Sequence, residues 1–486
     1  MASFAKALLA FTGASFVGTV TQIAKGKLSA VFLGVVGVGV VNQVVGVWGL
    51  ASLMAGLGFY SGMVRHLSES WARESTIDFQ SHLTSSAIVT FLASLVLTIA
   101  GCLGSEYISR WVFGSSINHA DLISLMFLGL PVFTLSQVYR AILSATNSVK
   151  ALVRARIFAD LSSVVLFAIL VYNWNIRGAV LGYAGLHVIY LFAVVYLSRN
   201  RISFREIFSV RHFKTEQVRM NIPFGVNAII ASSIGIVSSL TVGRHLIETM
   251  GLAANGLFAT AMKVTTAYLG GLAAAASGQV FPEVARCKSS EEMVKVTNQV
   301  LSVYFLVISP VIIVLMGLGP DLMRILFSEE FIPAAALLLI ILPADLFRIF
   351  SETAGIPLMV IKRLKLSTGM YAVWAVLYVS LAFLFGAKWA LTGYALAYLL
   401  SQSCYALLVY LAARKTYGFS LTRRNRYLIL MSLFAVTING VVLYYFTDRL
   451  AGLLCMACLL LVWVFLFRAE LQKVIANILK RRSDKK

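Results

Sequence analysis

The stretch LGSEYISRWVF, residues 103–113, follows a long apolar run, and so does LGPDLMRILF, residues 318–327. The two are not an isolated pair. SGMV (61–64) matches SGQV (277–280), and LGLPVF (128–133) matches IILPAD (340–345). SVKALVR (148–154) matches VIKRLK (360–365), and VLGYA (180–184) matches LTGYA (391–395). The five pairs keep one order at an offset of 211–216 residues. A single short match carries little weight. Five in register make an internal repeat, and the repeat decides the architecture.

The chain has 486 residues, of which 59% are hydrophobic and 13% charged, with a mean hydropathy of +0.86. A soluble chain carries about 25% charge. Apolar runs of about 20 residues, the length a helix needs to cross a bilayer, recur from end to end. The runs predict fourteen transmembrane helices, spans 1 to 14: 5–33, 38–63, 82–104, 120–143, 153–173, 178–198, 220–246, 253–281, 297–318, 332–358, 366–386, 389–412, 427–446 and 450–467. The fold class is all-α and polytopic, with no room for a separate soluble domain. MASFAKALLAFTG at the N-terminus lacks a small-residue cleavage site and reads as a retained first span. The CxxC at Cys455 and Cys458 lies in an apolar span and reads as small packing residues.

Charge sets the topology. Of 41 Lys and Arg, 31 fall in the even-numbered loops and at the termini, five in the odd-numbered loops and five within spans. Cytoplasmic loops carry the excess of Lys and Arg, so both termini are expected in the cytoplasm. The net charge of +21 is thereby a topology signal that also suits anionic lipid. It gives no reason to invoke nucleic acid.

Each repeat unit holds six helices. Six is even, so both units insert the same way up, which predicts two six-helix lobes about a pseudo-two-fold axis along the membrane normal. The expected division is an N-lobe at 1–199, a basic cytoplasmic linker at 200–219 and a C-lobe at 220–414. Two extra C-terminal helices and a basic tail follow at 415–486. Seven of the eight prolines lie after residue 220. Pro343 and Pro357 make span 10 a candidate for bending.

The six-plus-six repeat, the LG34-x-x-G37-x-G39 turn and the basic residues within spans 1 and 7 resemble the polysaccharide-exporter branch of the MOP superfamily. That superfamily also holds the MATE multidrug exporters and the lipid II flippases. Over residues 1–415 the chain most resembles Wzx-type O-antigen flippases, although many of those have twelve helices. The resemblance implies a transporter rather than an enzyme, with no cofactor. The implied cargo is an undecaprenyl-pyrophosphate-linked glycan, and the implied setting is the bacterial inner membrane.

A cation within a span costs about 2.5–3.5 kcal/mol on insertion scales, so the buried charges call for a reason. Lys25 lies on a polar stripe with Ser15, Thr19, Gln22 and Ser29, and periodicity favours it as a cavity residue. The resemblance favours Lys27, by its spacing from the LG34 turn. A helix irregularity at Gly26 would bring both to one cavity. Arg244, Lys263 and Arg348 add cations from the second repeat, with Arg65 and Arg140 expected at the cytoplasmic mouth. Such a lining suits a pyrophosphate. The bland alternative is that the lysines snorkel to an interface or pair with acids.

Three acids lie within spans. Asp160 follows Arg156 by four residues and Asp345 precedes Arg348 by three, so both are open to helical pairing. Glu352 has no expected helical partner and is the sharper candidate for coupling to H⁺ or Na⁺. His187 reads as packing. Asn42, Gln43, Asn227, Asn255 and Tyr268 suit either sugar binding or polar helix contacts. No nucleotide-binding or hydrolase motif is present. The rival readings are a MATE-like multidrug or cation exporter, which calls for an acidic interior, and a non-transporting polysaccharide-assembly protein. A polymerase and other assembly proteins are expected partners of a flippase.

Overall fold

In a computed structural model of the chain, the structure describes residues 2–115, 117–199, 204–269, 280–281, 283–445 and 449–483. Among these residues every regular element is helical. Ten helices are long and apolar enough to cross a membrane. Four of them run 50 to 57 residues, far beyond the roughly 20 that a bilayer needs. Each of the four contains a non-helical break. Counting the halves separately gives fourteen spans, at the positions that hydropathy predicts. Residues 270–279 of span 8, with the SGQ of its repeat motif, lie outside the described residues.

The breaks carry the repeat into the backbone. Spans 1 and 2 part at Gly34 (φ 62°, ψ −171°), and spans 7 and 8 part at Gly251 (φ 85°, ψ 175°). Spans 5 and 6 part at Asn175 (φ 47°, ψ −127°), and spans 11 and 12 at Ala390 (φ 48°, ψ −135°). Equivalent breaks adopt the same backbone conformation, even where the residue differs, as at Asn175 and Ala390. The stretches 103–113 and 318–327 also recur as short helices, Ser105–Phe113 after span 3 and Gly319–Leu326 after span 9. Near Gly34 and Gly251 the backbone enters a region open essentially to glycine alone. Gly251→Ala is therefore expected to cost about 1–3 kcal/mol, although no atom lies within 4 Å of the added methyl. Gly355→Ala, equally uncrowded but helical, is the control. Thermal unfolding in detergent should fall for the first and hold or rise for the second.

The chain divides into two compact units, Ser3–Gly256 and Leu257–Lys486. In the first, Leu67, Leu83, Ile142, Leu143 and Val194 form a buried cluster near the even-numbered loops. Val44, Phe113, Ile123, Leu130 and Val180 form another near the odd-numbered loops. Span 7 belongs to this unit and lies antiparallel along span 2. Gly46 meets Leu240, Gly49 meets Ile236, and Gly58 (φ 62°) packs on Gly225. Small residues at these points let two backbones approach closely, the usual means of packing where lipid removes the hydrophobic drive. Away from these contacts Val96, Ile99 and Leu103 stay largely exposed on span 3, as a lipid-facing surface does.

In the second unit, span 10 runs Ala334–Val360 as one helix across Pro343 and Pro357, with no break in its helical geometry. The two extra helices, Arg423–Tyr445 and the start of Arg449–Ser483, dock on span 9. Asn425 Nδ2 donates to the Asn298 carbonyl (2.8 Å), Ser309 bonds Ser432 (2.8 Å), and Asn439 Nδ2 donates to the Ile313 carbonyl (3.1 Å). Trp463 Nε1 donates to the Leu306 carbonyl (3.2 Å). Cys455 and Cys458 are free thiols, and Cys458 is exposed.

Candidate functional site

Each unit holds one buried charge cluster. In the first, Lys25 is 5% exposed. Its Nζ lies 5.9 Å from the Phe167 ring centre and 5.8 Å from that of Tyr183. Aromatic faces attract a desolvated cation by about 2 kcal/mol. Asp160 and Arg156 are its charged neighbours. Asp160 is 2% exposed and accepts from Arg156 Nε at 2.7 Å. Gly18 brings span 1 against this pair: a methyl added there would lie 3.3 Å from Asp160 Oδ2. Arg156 pairs with the carboxylate and Lys25 lies within its field, so the cluster counts two cations to one acid.

Arg140 extends it. Its guanidinium sits 4.5 Å from the Tyr60 ring centre and donates to Gln137 Oε1 at 3.2 Å. Arg140 and Arg156 both act electrostatically on Tyr190. Helical pairing of Arg156 with Asp160 is as the i, i+4 spacing predicts, yet Arg156 is 47% exposed and belongs with the site cations. The sequence reading treated it only as a partner. Its four-residue spacing from an intramembrane acid was the available signal.

Lys27 is half-buried, one face away from Lys25. Gly26 is ordinary helix and the only break in this stretch is Gly34, so the expected irregularity at Gly26 is absent and the two lysines stay on different faces. Arg65 is exposed and donates to Glu69 at 2.9 Å. Arg244 is likewise matched by Glu248, with Nε to Oε1 at 2.9 Å. His187 packs between Trp48 and Phe133, at ring distances of 5.3 and 5.0 Å, as a packing histidine should.

Of the residues that suit either sugar binding or helix contacts, two make helix contacts. Gln43 Nε2 donates to the Val112 carbonyl at 3.3 Å. Asn255 Nδ2 donates to the Gly39 carbonyl at 3.1 Å. Asn42 is half-buried. The side chains of Asn227 and Tyr268 lie outside the described residues.

In the second unit, Arg348 ties three groups. Nε donates to Asp345 Oδ1 at 2.8 Å, Nη2 donates to the Thr265 carbonyl at 3.3 Å, and Nη1 lies 3.6 Å from Glu352 Oε1. Glu352 therefore has the helical partner it was expected to lack, because Arg348 precedes it by four residues and reaches both acids. Asp345 is fully buried, and its Oδ2 has no partner among the described residues. Two carboxylates share one guanidinium, so this cluster keeps a surplus negative charge. Thr265 sits in a π-helical turn, Val264–Leu269, directly after Lys263. π-Turns inside helices gather at functional sites. Lys263 is half-buried and makes no ion pair among the described residues. Among the same residues no group of three His, Cys, Asp or Glu gathers to hold a metal.

The architecture has solved counterparts. The chain is similar to the lipid II flippase MurJ in an inward closed conformation, with a TM-score of 0.72 and 15% identity over 95% of this chain and 99% of that one. It is similar to an inward-facing MATE family multidrug transporter of the MOP superfamily, with a TM-score of 0.70 and 15% identity over 85% and 95%. At these identities the likeness speaks for the fold. By sequence it is 24% identical to a Shigella flexneri protein named "Putative O-antigen transporter", over 383 residues, 75% of this chain and 88% of the relative. Residues 27–288, more than half the chain and nearly all of its first unit, match the family described as polysaccharide biosynthesis protein. With fourteen spans, a repeated MOP-type fold and that match, the chain is a multi-pass membrane protein of the polysaccharide biosynthesis protein family.

Proposed function

We propose that this protein is a flippase that moves an undecaprenyl-pyrophosphate-linked oligosaccharide from the cytoplasmic to the periplasmic face of the bacterial inner membrane. The observation that carries the reading is the surplus cation of the first unit, where buried Lys25 stands beside the Arg156–Asp160 pair. A pyrophosphate is the complementary charge, and charge-assisted donors replace its water. In the same unit Lys27 and Arg140 add positive charge, whereas Arg65 and Arg244 are matched by Glu69 and Glu248; Lys263 and Arg348 are the cations of the second unit. A cationic aromatic drug would meet repulsion there, which sets the MATE-like reading second. Kinship with the Shigella protein and the fold shared with a lipid II flippase support a lipid-linked glycan.

The second unit supplies coupling. Asp345 and Glu352 around one Arg348 hold a surplus negative charge that a proton or Na⁺ can neutralise. A ligand shifts a conformational equilibrium only by its differential affinity for the two states. Cation binding that frees Arg348 from one carboxylate would supply such a difference. Asp160, with two cations beside it, is the weaker coupling candidate. Outward movement of an anion also gains about 2.3 kcal/mol per charge per 100 mV. Both termini are cytoplasmic in this reading.

The test is what accumulates without the protein. Isoprenoid lipids extracted from cells lacking it should contain a pyrophosphoryl-linked oligosaccharide, cleared by the wild-type chain but not by Lys27→Ala or Lys263→Ala. If no such lipid accumulates, and no second exporter is present, the flippase reading falls.

A further inference from the structure

Three helix ends of the first unit meet in two polar layers, one helical turn apart. The helices are Tyr60–Ala72, Thr76–Leu103 and the start of Thr215–Lys263. The inner layer is Gly62, Ser86 and Asn221. Asn221 Nδ2 donates to Ser86 Oγ at 3.1 Å, and a methyl on Gly62 would strike Asn221 Oδ1. Four residues along each helix, toward the even-numbered loops, stand His66, His82 and Gln217. All three are more than nine-tenths buried. The imidazole rings stack at 5.2 Å with 7° between their planes.

This outer layer is incomplete as it stands. His66 Nε2, His82 Nδ1 and Gln217 Oε1 are all buried with no hydrogen-bond partner among the described residues. Buried polar atoms rarely stay so. His66 Nδ1 faces Glu69 Oε2 at 3.6 Å. A proton on Nδ1 is the tautomer that this carboxylate selects, and it leaves Nε2 as a bare acceptor. Gln217 Oε1 is an acceptor as well. A neutral His82 carries one N–H and an imidazolium two, so one added proton places a donor on its Nδ1 whichever tautomer the neutral ring holds.

We propose that His66 and His82 form a single-proton site, with Gln217 as the acceptor that completes it, at the even-loop end of the first unit. The proton binds on one imidazole nitrogen and the N–H so formed donates within the layer. No other bond changes. The surroundings suit one charge. Glu69 on the helix of His66 and Asp78 on the helix of His82 are negative, Lys214 ahead of span 7 is positive, and Arg65 holds Glu69 at 2.9 Å. Two imidazolium rings 5.2 Å apart would repel, so the second proton is excluded. Occupancy draws Glu69 toward His66 and ties the ends of spans 2, 3 and 7. The proposal does not depend on the cargo.

The experiment uses the full chain in lipid nanodiscs with ¹⁵N-labelled imidazoles, six in all. Ring-nitrogen shifts are followed from pH 8 to pH 5 and assigned with H66Q and H82Q. The rings of His66 and His82 should change in one coupled step, the second proton binding at least about tenfold more weakly. H66Q should move the midpoint of His82, and Gln217→Leu should weaken proton binding severalfold. The other four histidine signals report that each variant is folded. Independent titration of the two rings, or two rings that stay neutral throughout and ignore each other's replacement, would reduce the layer to packing.

Discussion

Asp345→Ala should be among the most destabilising single changes in the second unit. Arg348 would remain 15% exposed with its shortest contact gone. Removing one partner of a buried ion pair costs about 3–5 kcal/mol; here Glu352, at 3.6 Å from Arg348 and half-exposed, compensates only part of the loss. Arg348→Ala should cost less, since Asp345 can take up a proton and become neutral where a guanidinium stays charged. The double variant D345A/R348A should be more stable than D345A alone. Denaturant titration in detergent micelles measures all three. If the two single effects simply add, the pair is not coupled and the surplus-charge account of the second unit loses its basis.

The second large effect concerns two glycines that the repeat makes equivalent. Gly178 follows the break at Asn175 by three residues, and Gly393 follows Ala390 by three. A methyl on Gly178 would run into the Leu170 carbonyl, and one on Gly393 into that of Phe385. The obstacle in both is backbone, which cannot swing aside as a side chain does. Each change to Ala should cost about 1–3 kcal/mol. The two lie in separate compact units, so their effects should add within about 0.5 kcal/mol. Heating curves of the single and double variants read this directly. A neutral result at one site alone would show that its hairpin can open without loss.

Much of the molecule was legible from periodicity and spacing. The fourteen spans follow because a bilayer forces every apolar run into a helix that satisfies its own backbone. The turn glycine at Gly34 and the helical pairs Arg156–Asp160 and Asp345–Arg348 follow from local geometry. The polar layer of His66, His82 and Gln217 was not legible, since its members come from three helices and no spacing links them. Glu352 is the opposite case, since its partner lies on its own helix. The i, i+4 contact to Arg348 was in plain view, but one guanidinium was counted for one acid.

The sequence alone settles the quantities that local physics controls: helical class, span number, the repeat and the placing of charge. Each depends on residues near one another in the chain or on a count along it. Contacts across helices were decided only by tertiary structure. Periodicity already favours Lys25 over Lys27, but that its ammonium lies under Phe167 and Tyr183 is set by the packing of span 1 against spans 5 and 6. Gln43 and Asn255 were equally fit for sugar or for backbone. The carbonyls of Val112 and Gly39 lie within reach of them, and a buried amide takes the partner that is present.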